Sequence, residues 1–202
     1  AGSRGQIGEP VYLPVDEKHP DNPTDIYGIH KLAAEKYHLL YHKVYGLPTV
    51  SLRLNNVYGP RCQMKYGHYG VLNLFIRKVL CDESITVYGD GQQTRDYVYI
   101  EDVVDAFVRA ALNPVADGQI FLVGSGKETK FMDMVKAVFE VAGKGHYVHR
   151  PFPPNLQKID ILRFVSSYKK LERLLGWKPK VSLKEGLEDT VAYYRKRLGD
   201  YL

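Results

Sequence analysis

Residues 23–61 confine this chain to an α/β architecture. Asn22 and Pro23 form a helix start, with proline at the first helical position, where its missing donor costs nothing. Ile26, Ala33, Tyr37, Leu40, Tyr41 and Val44 then recur on one side, widened by Ile29 and Leu32. The helix is expected to run to about Tyr45 and stop at Gly46-Leu47-Pro48. A stripe this wide predicts cover from two sides, the sheet and a partner. Thr49 to Leu54 follows as an apolar strand and ends on Asn55 and Asn56. A strand with polar residues at its carboxyl end, set among helices, fits a parallel sheet, and ligands collect at that end.

Later segments repeat the alternation. A helix is expected over residues 69–80, a strand at Ile85–Tyr88 closed by Gly89-Asp90-Gly91, and a strand at Tyr97–Ile100. Glu101 and Asp102 open a helix whose Val103, Val104, Phe107, Val108 and Ala111 are expected to be buried. Gln119–Val123 reads as a strand and Phe131–Ala142 as a helix. Residues 150–165 form an irregular connection, and helices near 168–175 and 183–197 close the chain. Gly124-Ser125-Gly126-Lys127 lacks the P-loop spacing and reads as a strand-to-helix turn.

Charge narrows the partners. Residues 126–202 carry 16 basic and nine acidic side chains, against 12 and 14 in residues 1–125. The lysines are dispersed through amphipathic helices, which argues against nucleic acid and leaves a small anionic substrate as their use. No apolar run is long enough to cross a bilayer. Cys62 and Cys81 are too few for a disulfide framework, which agrees with a cytoplasmic location. The seven histidines show no pair at metal-ligand spacing with a carboxylate, so no metal is expected.

Tyr27 and Lys31 stand at i and i+4 and share a helix face. An ammonium beside a phenol favours the phenolate, which makes Tyr27 a candidate acid/base. Ser3, this pair, Asn56 to Arg61, Thr94 to Val103 and Leu175 to Pro179 occur in an order that resembles the extended short-chain dehydrogenase/reductase family, within it the nucleotide-sugar epimerases and dehydratases. The family's opening glycine-rich turn has no counterpart here. The resemblance therefore implies a C-terminal portion lacking the N-terminal half. The expected fold class is α/β, the C-terminal part of a Rossmann-like parallel-sheet domain with a smaller mixed α/β substrate-binding lobe. Residues 1–61 would be the remainder of the NAD domain and 62–202 mainly the lobe, with an interleaved boundary.

The resemblance also implies roles. Ser3 would orient and polarise the reacting oxygen, Tyr27 would move the proton, and Lys31 would hold the nicotinamide ribose of NAD. Asn56 and Arg95, with Lys158 or Arg163, would clamp the substrate diphosphate, and Val87 and Tyr88 would line the nucleotide base. Ile7 stands where the family often has tyrosine. Dehydratases commonly follow the small hydroxyl with Asp-Glu, whereas Arg4-Gly5 follows Ser3. The implied activity is NAD-dependent epimerisation of a nucleotide sugar, as in UDP-glucose 4-epimerases. CDP-tyvelose-type epimerisation, decarboxylation, dehydration and a non-catalytic nucleotide-sugar-binding fragment are the alternatives. Most of the NAD site is expected to be missing and the isolated fragment inactive. A homodimer through the 23–45 helix is expected.

Overall fold

The computed structural model describes residues 1–67, 70–157 and 159–201, without the side chains of 155 and 156. The elements are β1 (Gly2–Ser3), α1 (Ile26–Tyr45), β2 (Val50–Leu54), β3 (Asn56–Tyr58), α2 (Val71–Leu80), β4 (Ile85–Tyr88), β5 (Thr94–Arg95) and β6 (Tyr97–Tyr99). They continue with α3 (Ile100–Leu112), β7 (Gln119–Val123), β8 (Thr129–Lys130), α4 (Phe131–Ala142), β9 (Tyr147–Arg150), α5 (Pro154–Gln157), α6 (Lys169–Leu175) and α7 (Leu183–Arg197).

Strands β1, β2 and β7 form a parallel sheet in that order, with Ser3 beside Leu54 and Leu54 beside Val123. Parallel pairs also join β3 to β6 and β4 to β9, and β5 runs antiparallel to β8. The expected C-terminal remainder of a Rossmann-like sheet is corrected here. A parallel-sheet α/β fold runs through nearly the whole chain, from β1 at Gly2 to α7, and β7 joins the first strands from far along the sequence. Adjacent segments reveal elements, but not which distant strand pairs with them.

One apolar cluster packs α2, α4 and α7 around Phe75, Ile76, Val135, Val138 and Tyr194. A second lies between the sheet and α3, with Leu52, Phe121, Val103, Ala106 and the fully buried Trp177. The Trp177 Nε1 donates to the Asp102 carbonyl at 2.8 Å. The Asp102 carboxylate accepts the backbone amides of Lys180 and Val181, each at 3.1 Å. The Leu175 to Pro179 segment therefore anchors the C-terminal helices to α3. Of the expected α3 face, Val103 is buried whereas Val104, Phe107, Val108 and Ala111 are exposed.

Helix α1 starts later than expected because Asp25, not Asn22, caps it. The Asp25 carboxylate accepts the Gly28 amide at 2.6 Å, and Gly46 ends the helix in the left-handed conformation at φ 66°. Its apolar stripe faces outward: Ile26, Ile29, Tyr37, Leu40, Tyr41 and Val44 are exposed. The residues it buries are Gly28 and Glu35.

Glu35 is the polar contact between α1 and the sheet. Its carboxylate accepts Ser51 Oγ at 2.6 Å and Arg53 Nε at 2.9 Å, both from β2. Arg53 also pairs with Asp21 at 2.8 Å. Burial alone would raise the Glu35 pKa, but the Arg53 and Ser51 donors outweigh it and hold the group below its ordinary value of 4.5. A depressed carboxylate pKa stabilises the fold above the unfolded value, and that stability is lost as pH falls through the folded one. Glu35→Ala is expected to cost about 3–5 kcal/mol, since it strips a buried cation of a partner. Lys36→Ala, which removes an exposed partner of Asp21, should cost under about 1 kcal/mol. Urea unfolding checks both, and below pH 4.5 the wild-type protein should lose more stability than Glu35→Gln. Equal effects of Glu35→Ala and Lys36→Ala would remove Glu35 from this role.

Candidate active site

A cleft of about 660 Å³ opens at the carboxyl ends of β1 and β2. Ser3, Tyr27, Lys31, Asn56, Tyr88 and Arg95 all line it. Tyr27 and Lys31 come from the first turns of α1, and the Lys31 Nζ lies 5.7 Å from the centre of the Tyr27 ring. Tyr27 is 56% exposed, and Lys31 donates to the Ala1 carbonyl at 2.9 Å.

The close seating of α1 depends on glycine. A Cβ on Gly28 would collide with the Gly5 carbonyl, and Gly5 in turn lies against Tyr27. Gly28 thus lets the helix touch the 3-10 turn at Arg4–Gln6, which places Tyr27 beside the end of β1. Ser3 caps that turn: its Oγ accepts the Gly5 amide at 3.2 Å while its own amide donates to Gln6 Oε1 at 2.8 Å. The serine is therefore a fixed cap and part of the cleft wall.

Asn56 follows β2, and its amide donates to the Asp96 carbonyl at 3.1 Å. Its Oδ1 is buried with no hydrogen-bond partner among the described residues. Arg95 is held by Asp160 at 2.6 Å and by the carbonyls of Ile161 and Thr94 at 2.6 and 2.8 Å. The neighbouring Asp96 is the hub beneath them. It accepts Asn55 Nδ2 and the Ser125 amide at 2.7 Å, with Ser125 Oγ at 2.6 Å and the amides of Gly126 and Ser166 at 3.2 Å. Burial pushes the Asp96 pKa up against these donors. The Gly124–Lys127 segment is thus a turn wrapped around a carboxylate, leading to β8 before α4.

Other predicted residues lie elsewhere. Val87 is fully buried in the core, while Tyr88 faces the cleft beside Phe152, with ring centres 5.8 Å apart. Arg163 is exposed and makes a two-point pair with Glu128 at 2.8 and 2.9 Å. Lys158 lies outside the described residues. Arg4, Tyr97, Phe152 and Asp160 line the cleft without having been singled out as site residues. The one available signal was the replacement of an acidic pair by Arg4-Gly5. Among the described residues no cluster of histidine, cysteine or acid is arranged to hold a metal, and no helix is long and apolar enough to cross a membrane.

The NAD dependent epimerase/dehydratase family matches residues 1–124. The chain belongs to this family. It is 37% identical over 190 residues to the UDP-glucose 4-epimerase of Mycolicibacterium smegmatis, covering 94% of this chain and 59% of that relative. The structure of UDP-glucose 4-epimerase with UDP-glucose from Thermotoga maritima matches with a TM-score of 0.88 and 38% identity, over 98% of this chain and 63% of that one. The UDP-glucose 4-epimerase of Thermus thermophilus in complex with NAD matches with a TM-score of 0.85 and 36% identity, over 96% of this chain and 62% of that one. The chain spans about three fifths of the length of these relatives.

These matches overturn the expectation of a remnant with a short piece of the cofactor domain. The shared α/β fold occupies almost all of the chain. The expectation that most of the NAD site is missing is not retained, and NAD as the cofactor is supported by the relative in complex with NAD, whose fold matches over 96% of this chain and 62% of its own length. The residues present fit the nicotinamide-ribose end of that cofactor. Lys31 has one acceptor, Ala1, among the described residues, so an ammonium with three donors can still serve ribose hydroxyls. Tyr27 and Ser3 stand in the same wall.

Proposed function

We propose that this chain carries the catalytic and substrate-binding residues of an NAD-dependent nucleotide-sugar epimerase that inverts C4 of a UDP-hexose. The observation that carries the reading is the convergence of Ser3, Tyr27, Lys31, Asn56 and Arg95 on one cleft at the carboxyl ends of parallel strands, where such folds bind ligands. Its volume, about 660 Å³, suits a hexose able to turn over between the two half-reactions.

Tyr27 takes the proton of the C4 hydroxyl and returns it after the 4-keto sugar has presented its other face. Lys31 stabilises the phenolate and holds the ribose. Ser3 donates a hydrogen bond to the reacting oxygen. NAD bound beside them would supply reversible hydride exchange at C4. Asn56 and Arg95 bind the diphosphate, Arg95 sharing its fork with Asp160. Tyr88 serves the nucleotide end.

Epimerisation is favoured over dehydration by what the acids in the cleft wall are doing. Asp25 is engaged with the Gly28 amide and Asp160 with Arg95, so neither is placed for proton removal at C5. We further propose a homodimer through α1, supported by its uncovered Tyr37, Leu40, Tyr41 and Val44. A cytoplasmic location is supported by the two unpaired thiols.

Tyr27→Phe should lower turnover of UDP-glucose by about 10²–10⁴ while nucleotide-sugar binding, measured by calorimetry, stays unchanged. Turnover near the wild-type rate would exclude Tyr27 as the acid/base. Arg95→Ala should weaken UDP binding by about 1.5–3 kcal/mol and leave uridine binding little changed. An equal loss for both ligands would place Arg95 in folding, through Asp160, and not in the clamp. For the assembly, Leu40→Glu combined with Tyr41→Glu should turn a dimer into a monomer in sedimentation velocity. An unchanged sedimentation coefficient would rule out this helix as the interface.

A further inference from the structure

Tyr97 lines the cleft, yet the proposed reaction gives it no part. It opens β6 and pairs in parallel register with Asn56 of β3, so the two side chains leave the same face of the strand pair. Arg95 stands two residues before it. Tyr97 is 6% exposed, and its hydroxyl has no hydrogen-bond partner among the described residues. The hydroxyl is not sealed in the interior, unlike the unpaired Nη1 of Arg4 and Oδ2 of Asp160. Tyr97 also borders a smaller cavity of about 120 Å³, with Lys127 and Lys180 in its wall. The charges that act on the phenol are those of Arg95 and Arg4, both residues of the main cleft. The polar end of the ring therefore belongs to the main cleft.

Arg95 leaves a need that this hydroxyl meets. Its Nη1 donates to the carbonyls of Thr94 and Ile161 at 2.8 and 2.6 Å, and its Nη2 to Asp160 at 2.6 Å. Both terminal nitrogens are spent inside the protein, so Arg95 brings charge to the cleft more than an open donor. Burial pushes the Tyr97 pKa up to about 12 against the pull of Arg95 and Arg4. The phenol keeps its proton at neutral pH, which makes it a donor and excludes it as a base. A buried hydroxyl without a partner in a native fold calls for one. Beside two guanidinium charges the favoured partner is an ionised oxygen, and a hydrogen bond to such an oxygen is about twice as strong as one to a neutral acceptor.

We propose that Tyr97 is a further substrate-binding residue, whose hydroxyl donates to a diphosphate oxygen held between Asn56 and Arg95. The inference rests on the nucleotide-sugar reading above and deepens it. Calorimetric titration of the wild-type chain and Tyr97→Phe with UDP and with uridine tests it. Tyr97→Phe keeps the ring and removes the donor, so UDP affinity should fall at least about tenfold while uridine affinity stays within about twofold. A second measurement leaves the hydroxyl in place: with Tyr97→3-fluorotyrosine, placed at this position alone, the 19F resonance should move on addition of UDP and stay unmoved with uridine. Unchanged UDP affinity in Tyr97→Phe would overturn the proposal. So would equal losses for UDP and uridine, which would move the hydroxyl to the nucleoside or to the fold, or a 19F resonance that ignores UDP. Absence of UDP binding by the wild-type chain would overturn the nucleotide-sugar reading itself, and this inference with it.

Discussion

The contact of Glu35 with Arg53 and Ser51 sets the position of everything the cleft uses. Helix α1 carries Tyr27 and Lys31 at its start, yet most of its large apolar side chains face away from the sheet. A helix that turns its apolar side outward cannot be located on its own sheet by burial of that side. A buried carboxylate received by a serine and an arginine of β2 does the locating instead. It is directional where apolar packing is not, and it fixes rotation as well as distance. Gly28 then permits the approach to Gly5 that brings Tyr27 to the end of β1. One ion pair and one absent side chain thus define where the phenol stands.

Asp96 plays the corresponding part for the opposite wall. It gathers Asn55 at the end of β2, the turn after β7 and the Ser166 backbone onto one carboxylate. Asn56, next to Asn55, and Arg95, next to Asp96, are held at the cleft by that arrangement. Gly124 is required at the hub for a steric reason, because a Cβ there would run into Asn55 and Asp96. The resemblance between Gly124–Lys127 and a phosphate loop therefore has a local cause: backbone amides converge on an anion, but the anion is the protein's own aspartate.

Much of this was legible in the sequence wherever local chemistry decides the outcome. The stop of α1 at Gly46, β7 at Gln119–Val123, α4 at Phe131–Ala142 and α7 at Leu183–Arg197 all follow from periodicity and cap residues. The start of α1 did not, because Asn22-Pro23 and Asp25 offer competing caps and only the Gly28 amide selects between them. Periodicity also reported an apolar stripe on α1 and predicted the sheet as one of its covers, whereas most of that stripe faces outward, and it misplaced Val104, Phe107 and Val108 in α3 in the same way. Val87 and Tyr88 illustrate a sharper limit. Strand alternation says that the two face opposite ways, but which one meets the cleft depends on the pairing of β4 with β9, a partner nearly sixty residues away. Arg95 reads from the sequence as a phosphate ligand, and the acid that holds it, Asp160, was not a candidate because it lies in an irregular segment.

The charges of the cleft complete the argument about what it accepts. Its acids are engaged inside the protein, by an amide in the case of Asp25 and by Arg95 in the case of Asp160. Its cations are not balanced in the same way: Lys31 has a carbonyl, Arg95 one carboxylate, and Arg4 an aromatic face. With Arg4, Lys31 and Arg95 set against Asp25 and Asp160, the wall creates a positive potential directed into the cleft. Such a wall discriminates against neutral ligands because covering its cations without pairing them costs desolvation. An anion at the Arg95 end would relieve the field there and leave it at the Ser3 end. The distribution of charge along the cleft, more than its total, therefore sets where an anionic ligand is received.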